Sequence, residues 1–259
     1  VSNYETEKNK LMEKLQEVCS LLFQRQNLLV SVTGGREGYA ALRNMSDQIT
    51  DGLYADTEKE SIEISLPDQK NEGFKDASQI QYVSLAGNYA QSGFSYHGAM
   101  RVFKVIMNYE YLWQNIRVKG GAYGCSTNVG RNGDVCFLSY RDPNLERTLE
   151  VYRGVTDYLK EFELDERGMT RFVIGAFSEL DAPLTPMSQG RRSLLSYLTG
   201  VSYEMIQKER EQALHTCLQD IRNLAETMQA VLDHSYICAI GNEGKLQEEA
   251  DLFDVLKTL

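Results

Sequence analysis

Asn132-Gly133 separates two β-rich segments, Ala122–Val129 and Asp134–Tyr140, and constrains the fold more than any other feature of the chain. Both turn residues tolerate positive φ, so an Asn-Gly pair between β-formers closes an antiparallel hairpin. Upstream, Ala99, Phe103, Ile106, Tyr109, Trp113 and Ile116 recur at helical spacing. Between that helix and the hairpin the chain reads Arg117-Val-Lys-Gly-Gly-Ala-Tyr-Gly124. A guanidinium and a phenol therefore flank a glycine pair, where the backbone bends at least cost.

The remaining pattern builds outward from this core. Leu11, Leu15, Val18 and Leu22 mark an amphipathic helix, and the β-rich run Leu28–Gly35 follows it. Leu42, Met45, Ile49 and Leu53 share one helix face, and Ser61–Pro67 alternates like a half-buried strand. The polar stretch from Asp68 to Asp76 reads as a loop, and Ser78–Asn88 as a strand. Asp142-Pro143 looks like a helix start, with Asp as cap and Pro in the first turn. From Asp165 to Asp233 the pattern stays helical apart from breaks at Pro183, Pro186 and Gly200. A strand over Ser235–Gly241 and a closing helix complete the chain. This order predicts an α+β fold, with about six strands in a mostly antiparallel sheet and helices packed on one side. No internal repeat or low-complexity linker is evident, so residues 1–259 read as a single domain with a lead-in helix over 1–25.

Charge and cysteine content exclude several functions. Thirty-seven acidic against 27 basic side chains give a net charge of −10, the wrong sign for a nucleic-acid footprint. Five cysteines with no C-x-x-C pair argue against a disulfide framework or a structural zinc site, and favour a reducing compartment. No apolar run is long enough to cross a membrane, and no signal peptide precedes the first helix. The first residue is Val1 rather than Met, which suggests a processed product or part of a longer chain.

Catalytic motifs are few. His97, His215 and His234 fall in neither H-E-x-x-H nor H-x-x-E-H, where helical spacing would aim two imidazoles at one metal. No G-x-S-x-G elbow or cysteine–histidine nucleophile signature is present. Gly120-Gly121 is not a P-loop, because lysine precedes the glycines and a strand follows them. Arg117 and Tyr123 are better placed for chemistry. One ends a helix and the other begins a strand, so a cationic and a neutral donor can converge on one carbonyl oxygen. Spacing alone leaves a second arrangement open, in which Arg117 caps the helix end and Tyr123 packs in the core.

The stretch from Gln81 to Leu159 resembles the C-terminal part of insulinase-like zinc metallopeptidases of the pitrilysin superfamily, in particular the presequence protease and falcilysin branch. The likeness rests on "QYVSLAGNYAQSGFSYHGAMRVF", "YLWQNIRVKGGAYG", the "RNGD" turn and "VCFLSYRDPNLERTLEVYRGVTDYL". R-V-K-G-G-A-Y-G followed by S-Y-R-D-P-N is its most specific part. Beyond about Lys160 only the pattern of elements agrees.

The resemblance implies a non-zinc C-terminal domain whose partner is the zinc-bearing N-terminal half, on the same polypeptide or a separate subunit. Zinc would be ligated in that half, outside this chain, which would bind none and cleave nothing alone. By motif position, Arg117 and Tyr123 would hold the scissile carbonyl as it becomes an oxyanion. The substrates implied are unstructured peptides degraded in a closed chamber, and the acidic charge suits basic ones. Gln81, Tyr82, Val83 and Ser84 would take substrate by strand addition, with Gly120 and Gly121 completing the candidate substrate-binding set. The alternative is a catalytically silent insulinase-like scaffold or peptide-binding subunit. Bacterial cytoplasm is the expected location, with a mitochondrial or other organelle matrix as the alternative.

Overall fold

The computed structural model of the chain describes residues 3–55 and 68–259. In chain order the elements begin with α1 (Tyr4–Leu22), α2 (Arg36–Asp51), β1 (Glu72–Asp76), β2 (Gln81–Asn88) and α3 (Ala99–Ile106). β3 (Gly124–Val129), β4 (Asp134–Asp142), α4 (Glu146–Arg153), α5 (Val155–Lys160) and α6 (Glu166–Leu180) follow. α7 (Pro186–Leu198), α8 (Tyr203–Leu214), α9 (Leu218–Asp233), β5 (Tyr236–Asn242), α10 (Glu243–Glu248) and β6 (Val255–Thr258) complete the series. Contacts divide the chain into two compact units, Val1–Leu66 with Pro183–Val201 and Pro67–Ala182 with Ser202–Leu259.

The second unit carries a six-stranded sheet in the order β3-β4-β2-β5-β1-β6. β2 pairs antiparallel with β4 and β5, and β3 antiparallel with β4, while β1 runs parallel to β5 and β6. The α+β class and the predominance of antiparallel pairing are as expected.

Alternation along the strands assigns the two faces. Val83, Leu85, Val135, Phe137, Ile237 and Ala239 point inward and share one apolar core with Phe103, Ile106, Leu149, Leu224, Met228 and Val231 from the helices. The Phe137 and Tyr152 rings stack there with centroids 5.5 Å apart. Removing such side chains from water is the main stabilising contribution, at about 25 cal/mol per Å² of apolar surface. The other face stays open, and Tyr82, Leu138, Tyr140, Tyr236 and Ile240 are exposed on it.

Two elements differ from expectation in this unit. Residues 72–76, expected within a loop, form the parallel strand β1, half-buried between β5 and β6. Its Gly73 and charged neighbours hide the strand signal, and Gly73 sits close against the Leu256 and Phe253 side chains, where a Cβ would lie 2.6 Å from Leu256 Cδ1. The expected closing helix is only the short α10, and β6 follows it beside β1.

In the first unit, none of α1, α2 and α7 buries a side chain. Leu28–Gly35 forms no strand. A β-rich run becomes a strand only where its backbone groups find a ladder, and no strand pairs with it among the described residues. The expected strand Ser61–Pro67 lies outside the described residues.

Candidate functional site

The helix that opens as α3 does not end as an α-helix. From Met107 to Tyr111 and from Trp113 to Val118 its turns widen to π-helical winding, a geometry frequent at functional sites. The wide last turn is closed by Lys119 N–H donating to Gln114 O (3.0 Å), Gly121 N–H to Arg117 O (3.0 Å) and Ala122 N–H to Ile116 O (3.1 Å). Gly121 holds φ +81°, and a Cβ on Gly120 would run into the Ile116 carbonyl oxygen. The reversal therefore needs both glycines.

Arg117 and Tyr123 emerge side by side from this reversal. The Arg117 guanidinium carbon lies 4.2 Å from the Trp113 ring centre and 5.8 Å from that of Tyr123. Tyr123 is 64% exposed, so the arrangement that buries it in the core is not adopted. A cation over an indole face gains roughly 0.5–1 kcal/mol at an exposed site, enough to bias Arg117 toward one direction. Beside it, burial pushes the Cys125 thiol up to about 11, while the Arg117 charge pulls the other way.

A β-bulge supplies the opposite wall. Val83 pairs with Ser139 and Gln81 with Asp142, so two steps on β2 face three on β4. Arg141 takes φ +50° in this extra residue, a conformation costing a non-glycine roughly 1–3 kcal/mol. The shift breaks alternation. Tyr140 and Arg141 are both exposed, while Ser139 and Asp142 are both fully buried. The Arg141 carbonyl accepts from Tyr123 N–H at 3.3 Å, and its guanidinium carbon lies 5.9 Å from the Tyr123 ring centre and 5.6 Å from that of Tyr140. Tyr140 meets Tyr123 edge-on at 5.7 Å and Tyr82 at 5.2 Å. Trp113, Arg117, Tyr123, Arg141, Tyr140 and Tyr82 thus form one continuous cation–aromatic ladder.

The buried Asp142 is the hub beneath it. Its carboxylate accepts from Thr148 Oγ1 (2.7 Å) and Asn144 N–H (2.9 Å), and Asn144 Nδ2 donates to Gly120 O (2.7 Å). Lys245 Nζ donates to Pro143 O. Asp142 is therefore not the expected helix cap, since α4 begins only at Glu146. The S-Y-R-D-P-N segment braces the glycine reversal instead.

The candidate substrate-binding residues separate. Tyr82 and Ser84 lie on the open face, where Ser84 Oγ is 3.2 Å from Cys136 Sγ. Gln81 and Val83 are 0% exposed. The Gln81 amide is buried without a hydrogen-bond partner. Strand addition at β2 is overturned, because β4 and β5 already take both of its edges. Periodicity missed Trp113, Tyr140, Arg141 and Asn144 as members of the site. The signal for Tyr140, Arg141 and Asn144 was the close succession of the R-V-K-G-G-A-Y-G and S-Y-R-D-P-N blocks, while Trp113 stands one helical turn before Arg117.

Among the described residues no three His, Cys, Asp or Glu side chains are grouped to hold a metal. No helix among them is long and apolar enough to cross a membrane. What the ladder offers is two adjacent donors, a guanidinium and a phenol, on an open face. Such a pair binds a carbonyl oxygen, and binds it more strongly as negative charge develops there.

Residues 71–243 match the family described as PreP C-terminal domain. The chain is 37% identical over 256 residues to protein HypA of Clostridium perfringens, covering 98% of this chain and 26% of that protein. It is 30% identical over 259 residues to presequence protease 1, chloroplastic/mitochondrial, of Arabidopsis thaliana, covering 96% of this chain and 24% of the relative. The chain thus spans about a quarter of the length of each. A solved peptidase M16 inactive domain from Pseudomonas fluorescens shares the fold, at 14% identity and a TM-score of 0.55 over 79% of this chain and 51% of that one. The chain belongs to the presequence protease C-terminal domain family.

Proposed function

We propose that residues 1–259 are the non-zinc C-terminal domain of a zinc metalloendopeptidase that degrades unstructured peptides, with Arg117 and Tyr123 binding the scissile carbonyl. The observation that carries this reading is the exposed Arg117–Tyr123 pair, held 5.8 Å apart by a rigid glycine reversal. In the mechanism, Arg117 and Tyr123 Oη donate to the carbonyl oxygen of the bond being cut. Both bonds strengthen as that oxygen becomes an oxyanion, so they lower the barrier more than they tighten binding. The zinc and the base that activates water belong to the partner half, and the isolated chain is inactive. Tyr82 and Ser84 line the same face and contact substrate through side chains. The 37% identity to a protein of Clostridium perfringens favours a bacterial source, while relatives named as mitochondrial or chloroplastic presequence proteases keep an organelle matrix as the alternative.

The test is Tyr123→Phe in the whole enzyme. Loss of one oxyanion donor lowers kcat by about 100-fold or more with little change in KM. An unchanged kcat removes the catalytic role and leaves the silent scaffold as the better description.

A further inference from the structure

We propose that Arg141 binds a carboxylate of the peptide substrate close to the bond being cut, which makes it a specificity-determining residue. The proposal rests on the reading of Arg117 and Tyr123 above.

Three observations carry it. First, the backbone is bent to present this side chain. Strict alternation along β4 would send residue 141 into the core, and the bulge with φ +50° turns it to the open face instead. Bulges re-aim side chains beside active sites.

Second, the guanidinium carries its charge without an acidic partner. Arg141 makes no ion pair among the described residues, a state it shares with other exposed arginines such as Arg147 and Arg153. Arg117 makes none either, so the ladder holds two uncompensated positive charges in a chain of net charge −10.

Third, the Arg141 guanidinium contacts the Tyr123 and Tyr140 rings and donates no hydrogen bond among the described residues. Its edge N–H groups stay free, and their planar fork matches a carboxylate.

Reach fixes the position. Arg141 lies 5.9 Å from the Tyr123 ring. An extended peptide advances about 3.3 Å per residue, so the carboxylate belongs within about three residues of the cut bond. It comes either from an Asp or Glu side chain or from the peptide's own C-terminus.

The experiment uses the whole enzyme and quenched fluorogenic peptides. One series places Glu or Gln at each of the three positions on either side of the cut bond. A second series ends three residues past that bond as a free acid or an amide. Arg141→Asn removes the guanidinium with a residue that tolerates the left-handed backbone, and Arg141→Lys keeps the charge without the fork.

The parent should favour the carboxylate member of one series by about 10- to 100-fold in kcat/KM, the worth of a charged hydrogen bond. Arg141→Asn should abolish that ratio, and Arg141→Lys should keep part of it. Loss of the Glu/Gln ratio identifies a side-chain carboxylate, and loss of the acid/amide ratio the C-terminus. The proposal is overturned if both ratios are the same in Arg141→Asn as in the parent, or if the parent shows neither preference. Tyr123→Phe run in parallel keeps the two readings apart. A ratio that depends on Arg141 while Tyr123→Phe leaves kcat unchanged sinks the oxyanion role and leaves the carboxylate site standing.

Discussion

Asn144 reaches back across 24 positions to donate from Nδ2 to the Gly120 carbonyl oxygen at 2.7 Å. This bond joins the end of β4 to the reversal that carries Arg117 and Tyr123. The same Asn144 offers its backbone N–H to the Asp142 carboxylate.

Replacing Asn144 with Ala removes the side-chain bond and keeps the backbone one, at a cost of about 1 kcal/mol. Asn144→Asp should cost more, because it turns a carboxylate toward the Gly120 oxygen and sets it beside Asp142. Urea unfolding of the two variants checks the order. No loss in Asn144→Ala would mean that the contact with Gly120 contributes nothing, and equal losses would mean that the added carboxylate is not repelled.

Gly120→Ala should be more damaging than its one added carbon suggests. The new methyl meets the Ile116 carbonyl oxygen, which is backbone and cannot rotate away. Overpacking of this kind costs ~1–3 kcal/mol. In the whole enzyme the same change should lower kcat, since the reversal shifts to make room. A melting temperature and kcat both equal to the parent's would show that the turn is looser than described.

Cys125 reports on Arg117. The buried thiol sits at about 11, and the neighbouring guanidinium is what keeps it from rising further. Alkylation proceeds through the thiolate. At a fixed pH near 8, Arg117→Leu should therefore slow iodoacetamide modification of Cys125 and leave the exposed Cys217 unaffected. Faster labelling of Cys125 would instead mean that the substitution opened the site to solvent.

Glu249 gives a pH signature. Burial raises its carboxyl above the ordinary 4.5, against a backbone hydrogen bond at Glu146 that pulls it down. A group with a raised pKa binds more protons folded than unfolded, so stability falls as pH rises through the window between the two values. Glu249→Gln should thus be more stable than the parent at neutral pH. The difference should shrink as pH drops toward the ordinary carboxylate value. A stability gap that does not change with pH would assign the effect to packing.

The central hairpin was legible because both of its signals are local. Asn132-Gly133 sits in the turn, but only Gly133 takes positive φ, at +99°. Gly130 N–H donates to Asp134 O and Gly133 N–H to Gly130 O, so the loop is longer than a two-residue turn. β1 and β6 were not legible. Parallel strands are paired by distant residues, and Gly73 pairs with Leu256, 183 positions later. At the site, Arg117 and Tyr123 could be read from their shared loop. Arg141 could not, since its direction depends on a register between β2 and β4 that no window of sequence contains.

The bulge at Arg141 also sets what the gene can tolerate. Deleting any one residue between Ser139 and Asp142 would restore the even count against β2. The Asp142 carboxylate would keep its inward place in phase with Ser139, but the open face would lose Tyr140 or Arg141 and with it a rung of the ladder. A site on the surface of a sheet would ordinarily absorb a one-codon loss. Here the length of a four-residue stretch is as constrained as its composition, and insertions or deletions in it should be purged where substitutions survive.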